Sequence, residues 1–159
     1  MKDLFDYRFE LLEREMETVQ GGIETYNRTI FAVKGLAMTL FTAFIAFVSS
    51  LSAKPGWVIF LAMGIILLLF WVLDAIFKSI QMVYITRSRD IEAKLRESGF
   101  YKRLADDSIE DFDFPRIEEA FKEWDDNKFR HFRPEFTRPT VWLIYVALIA
   151  LNTAIGLFL

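Results

Sequence analysis

Cysteine is absent from this chain of 159 residues, and histidine occurs once, at His131. Without cysteine there is no disulfide framework, no thiolate metal site and no thiol nucleophile, and a lone histidine has no second imidazole with which to share a metal. Gly-x-Ser-x-Gly, His-Glu-x-x-His and a phosphate-binding glycine loop are also missing, so the residue sets of the common hydrolases, zinc enzymes and nucleotidases are not there. The sequence therefore points away from an enzyme: no residue is singled out as catalytic, cofactor-binding or metal-ligating, and no cofactor is implied. A net charge of -3 gives no reason to expect a nucleic acid partner. The most informative absence is local. Gly35 to Ala53, Pro55 to Leu73 and Pro139 to Leu159 contain no Asp, Glu, Lys or Arg at all.

Each of these blocks is about as long as the 20 or so residues that carry a helix across a hydrocarbon core of about 30 Å. A soluble bundle with a hydrophobic hairpin at its centre is the competing reading, but its helices would show a polar stripe, and these show none. The expected fold is an all-α integral membrane protein with three transmembrane helices, a cytoplasmic helical stalk and a small cytoplasmic helical segment. Residues 1–33 form an amphipathic cytoplasmic helix, 34–77 a transmembrane hairpin with spans at about 34–53 and 55–77, 78–138 a cytoplasmic helical region, and 139–159 the third span. Of the 19 Lys and Arg residues, all but Lys54 lie before the first span or between the second and third. The positive-inside bias then places the amino terminus and the long connection in the cytoplasm and the carboxyl terminus outside.

The hairpin turns at Ser52-Ala53-Lys54-Pro55-Gly56, and Lys34 and Asp74 stand at equal distances from Lys54 in the sequence. Two antiparallel helices leaving that turn bring both charges to one depth, about 30 Å from the tip, so Lys34 and Asp74 are expected to pair. On the first span Gly35, Thr39 and Ala43 recur every four residues, a stripe that admits close approach of another helix. Packing against the second span is the expected use; a pore-lining or dimer face is the alternative. Trp57 at one boundary, and Trp142 with Tyr145 at the other, suit the aromatic belts of membrane interfaces.

Before the first span, Phe5, Phe9, Leu12, Met16, Val19, Ile23, Tyr26, Ile30 and Val33 alternate in a coiled-coil seam. Gly21-Gly22 falls inside it and is expected to kink or break the helix. Beyond the second span, Phe77, Tyr84, Ile91 and Leu95 form a thin matching seam, so the stalk is expected to zip up within one chain. Ser98-Gly99 supplies a stop, and acidic residues between Asp106 and Asp113 precede Pro115 at the start of another helix with Ile117, Phe121 and Trp124 on one face. That face is expected to dock on the stalk.

From Lys128 to Pro139 bases alternate with aromatics, and Arg130, His131, Arg133 and Arg138 are placed to meet lipid headgroups or the phosphate of a ligand. In the third span Asn152 is an amide that lipid cannot satisfy, and Ala147, Ala150 and Ala154 make a small face. With the hairpin able to satisfy itself, these four residues are expected at a contact between protomers.

Tyr26-Asn27-Arg28-Thr29 before the first span and Phe132-Arg133-Pro134 before the third give the layout a resemblance to the small RipA-like bacterial inner-membrane proteins, and a weaker one to SLATT-type membrane effectors of antiphage defence. The first likeness implies a homo-oligomer in a bacterial inner (plasma) membrane. The expected function is a homo-oligomeric scaffold or accessory protein without catalytic activity, in contact with membrane lipids and open to a protein partner. The alternative is an oligomeric channel or membrane-perturbing effector, gated by a signal.

Overall fold

The computed structural model describes residues 4–52, 54–97, 117–126 and 128–158. Their regular structure is helical throughout: α1 spans Leu4–Ser50, α2 Trp57–Arg96, α3 Ile117–Asp126, α4 Lys128–Phe136 and α5 Pro139–Phe158. Helices α1, α2 and α5 each contain a stretch long and apolar enough to cross a membrane, so this is an all-α, multi-pass membrane protein with three spans. The expected Ser98-Gly99 stop, the acidic run from Asp106 to Asp113 and the Pro115 helix start lie outside the described residues.

Two compact units form. One combines residues 1–26 with 80–128, the other 27–79 with 129–159. By packing, residues 27–33 and 129–138 group with the spans. For α4 the reason is Trp71 on α2. Its indole N–H donates to the Phe136 carbonyl at 3.2 Å, and its ring stacks on the Phe136 ring with centroids 4.5 Å apart and planes 3° from parallel. That bond satisfies one of the carbonyls a helix leaves open at its carboxyl end. Pro139 then opens α5, where a missing N–H costs nothing, and the Arg138 carbonyl accepts from the amides of Val141 at 2.8 Å and Trp142 at 3.2 Å.

In the first unit Leu12, Val19 and Ile91 are buried together, with Met16, Ile23, Tyr84, Leu95 and Ile117 packed against them. These are the α1 and α2 seams read from the sequence, closed within one chain, and α3 docks on them through Ile117 and through Phe121, which meets the Tyr84 ring edge-on at 5.2 Å. The glycine pair does not interrupt α1, which runs unbroken from Leu4 to Ser50. Instead, a Cβ on Gly22 would fall on the Tyr84 ring, whereas one on Gly21 would meet nothing within 4 Å. Gly22 is small because an aromatic ring occupies the space a side chain would need. The unit also buries an ion pair that the seam pattern does not announce, Arg87 Nε to Glu15 Oε1 at 3.6 Å.

In the second unit the span core is Phe41, Met63 and Leu67, joined by Phe44, Ile45, Leu148 and Ile149. Ile30, Ala37, Phe41 and Val48 are the buried residues of α1 here. The Gly35, Thr39 and Ala43 stripe is exposed instead, which overturns its expected packing against the second span. The buried positions Ile30, Ala37, Phe41 and Val48 recur at spacings of seven, four and seven and so form a different stripe of α1 from Gly35, Thr39 and Ala43.

Candidate functional site at the charged end of the spans

The charges bordering the spans converge at the end of the span unit remote from the 51–56 turn. Lys34 Nζ lies 3.4 Å from Asp74 Oδ2, with the Asp74 side chain wholly buried and that of Lys34 20% exposed. The same ammonium donates to the Thr140 carbonyl in the first turn of α5 at 2.7 Å. Tyr145, one turn further along α5 and itself fully buried, sets its hydroxyl close enough to Asp74 to interact electrostatically, although outside strict hydrogen-bond alignment. The expected depth match between Lys34 and Asp74 is thus present in the geometry, and α5 joins it. Tyr145, expected in an interfacial belt, is buried within the protein, while Trp57 at the turn end is 71% exposed.

Around this pair lies a second layer of charge. Arg138 Nη2 meets Glu135 Oε1 at 2.9 Å, and Lys78 feels the charges of Arg138, Glu135, Lys34 and Asp74. Burial pushes the Glu135 carboxyl above the ordinary range, against the opposing pull of Arg138 and Lys78. Arg138, expected to meet phosphate, stands beside this internal carboxylate with its side chain 38% exposed. Arg133 is exposed and remains available to a headgroup. The side chains of Arg130 and His131 lie outside the described residues.

Asn152 was expected at a contact between protomers. The structure buries it, 4% exposed, within its own chain, where Nδ2 donates to the Phe60 carbonyl of α2 at 2.9 Å. A lone amide in an apolar helix takes the nearest carbonyl, and α2 supplies one. Gly156 permits this approach, since a Cβ there would stand 3.0 Å from the Phe60 ring. Ala147 and Ala150 are exposed and Ala154 is half-buried, so the small face of α5 is only partly covered.

Chemically, the charged cluster is one buried carboxylate held by an ammonium, beside a phenol and a backbone carbonyl. It can bind a proton or fix helices together. One carboxylate cannot perform two-acid hydrolysis, and among the described residues no group of three or more His, Asp or Glu is placed to hold a metal. Because the Lys34 ammonium touches both α2 and α5, its first effect is mechanical: it ties the third span to the hairpin. Comparison with protein-family models, with curated proteins and with solved structures gives no match.

Proposed function

We propose that the chain is a homo-oligomeric scaffold or accessory protein of a bacterial inner membrane, without catalytic activity, with its amino terminus and the 78–138 connection cytoplasmic and its carboxyl terminus outside. The observation that carries the oligomer is the uncovered small stripe of α1. Gly35, Thr39 and Ala43 are exposed, and a Cβ on Gly35 would meet nothing within 4 Å. With no internal partner, the stripe offers a second copy the close backbone approach by which membrane helices associate. Exposed Ala147 and Ala150 on α5 extend the area for contact. The resemblance to RipA-like proteins supports the same reading. In native mass spectrometry from mild detergent, the wild type is expected as a multimer and Gly35→Leu with Ala43→Leu as predominantly monomer; a monomeric wild type defeats the proposal.

The orientation rests on the distribution of Lys and Arg. A periplasmic alkaline phosphatase fused after Leu159 is expected to be active and one inserted at Ser108 inactive. Activity at Ser108 would reverse the topology.

A signal-gated channel or membrane-perturbing effector of the SLATT type is the second reading. It is favoured by the buried Lys34 and Asp74 pair, since ionisable groups within spans commonly mark ion pathways. The Thr39 and Thr42 hydroxyls weigh against it, because both are spent on their own helix, at the Gly35 and Met38 carbonyls, and offer little to a water column.

A further inference from the structure

At the charged end of the spans Lys34, Lys78 and Arg138 face Asp74 and Glu135. Lys34 is committed to Asp74 and the Thr140 carbonyl, at 3.4 and 2.7 Å. Lys78 and Arg138 then share one carboxylate, and Glu135 Oε1 already takes the Arg138 Nη2 at 2.9 Å. The Lys78 ammonium is held below the ordinary lysine range by burial and by the repulsion of Arg138, which the pull of Glu135 does not offset. Negative charge is in short supply here. Helical rise fixes the level: Asp74 lies about 30 Å from the Lys54 tip, at the edge of a 30 Å core, and Lys78 one turn further, about 6 Å outside it. The polar layer on each face of a bilayer is about 5–7 Å deep, so Lys78 stands at the level of the phosphates. Arg138 directly precedes Pro139, where the 20 residues of α5 begin to cross the same core. Both side chains are only partly buried and can be reached from outside.

We infer that Lys78 and Arg138 bind the phosphate of an anionic phospholipid in the leaflet that this end of the spans meets. A guanidinium has five donors to divide between Glu135 and a phosphate, and the Lys78 ammonium adds a compact charge on a flexible stem. Phosphatidylcholine presents the same phosphate, but its choline cation restores the repulsion that an anion removes. The ligand is therefore a headgroup of net negative charge. The inference goes beyond the oligomeric reading and rests neither on it nor on which side of the membrane this end faces.

The test uses the full chain in mild detergent and native mass spectrometry, with palmitoyl-oleoyl phosphatidylglycerol, the phosphatidylcholine of the same chains and inorganic phosphate as probes at equal concentration. Phosphatidylglycerol is expected to bind about 25-fold more tightly than phosphatidylcholine, about fivefold for each cation near a membrane surface. Inorganic phosphate, with no chains to hold it, should give no adduct. Lys78→Gln and Arg138→Gln should each remove about fivefold of the preference. Glu135→Gln should strengthen phosphatidylglycerol binding, because it removes the carboxylate that competes for Arg138 and repels the phosphate, a gain that a purely structural cluster would not give. Lys122→Gln, the same loss of charge at an exposed position of α3 in the other unit, should change nothing. Equal binding of the two lipids by the wild type overturns the inference whether or not any variant folds. So does a preference that survives Lys78→Gln, that falls in Glu135→Gln, or that Lys122→Gln lowers as much as Lys78→Gln does. Inorganic phosphate adducts as strong as those of phosphatidylglycerol would assign the two cations to a soluble ligand, and the lipid site would be wrong.

Discussion

Replacing Lys34 by Met is expected to cost about 3–5 kcal/mol of stability, read as a shift of the reversible unfolding curve in mixed micelles, because it strands the Asp74 carboxylate without its counter-charge. Asp74 is wholly buried and Lys34 Nζ lies 3.4 Å from its Oδ2. Asp74→Leu should cost a comparable amount, since it leaves the ammonium largely buried. The double change Lys34→Met with Asp74→Leu should recover most of the loss, as removing both members of a buried pair is far cheaper than removing one. A residue of about 1 kcal/mol should remain from the lost bond between Lys34 and the Thr140 carbonyl. The exchange Lys34→Asp with Asp74→Lys restores opposite signs and should recover part of the stability, short of the original because an Asp on α1 cannot donate to Thr140. Equal costs for the singles, the double and the exchange would mean that the pair does not lock the spans.

The second large effect is a difference in sign between neighbours. Gly21→Ala should stabilise the protein by about 0.5–1 kcal/mol, the ordinary gain from replacing a glycine inside a helix, because its Cβ points into open space. Gly22→Ala should destabilise it by about 1–3 kcal/mol, as overpacking does, because its Cβ would fall on the Tyr84 ring. That ring has little room to retreat, with Phe121 edge-on at 5.2 Å and Tyr26 at 5.7 Å. Adding Tyr84→Ala should make the second methyl tolerable. Stabilisation by both alanines would show that α2 does not approach α1 closely here.

These two predictions mark where the sequence is legible. Three charge-free runs and a turn with Lys54 at its centre suffice to place the spans, and equal spacing from that turn is enough to match Lys34 with Asp74, because helical rise is constant. The stalk seams are equally readable from the spacing of Leu12, Val19 and Ile91. Contacts between elements far apart in the chain are not. Nothing in the period of α5 says that Thr140 offers a carbonyl to Lys34, that Tyr145 turns inward, or that Trp71 stacks on Phe136. Asn152 announces that it needs a partner without saying whose. A small-residue stripe likewise signals permitted approach without identifying the neighbour; here Ile30, Ala37, Phe41 and Val48 took the internal contact and left Gly35, Thr39 and Ala43 outside. The glycine pair misleads for a related reason, since low helix propensity is a local quantity and the demand of the Tyr84 ring for space is not.

The central claim, that this outward stripe joins copies of the chain, is tested most directly by crosslinking in native membranes. The absence of cysteine allows single thiols to be placed without background. Ala43→Cys puts one on the stripe, and Ala62→Cys puts one on α2, exposed like Ala43. Under mild oxidation Ala43→Cys should give a disulfide-linked dimer that is lost when Gly35→Leu is added, while Ala62→Cys stays monomeric. Failure of Ala43→Cys to crosslink, or equal yields from the two positions, would contradict the account.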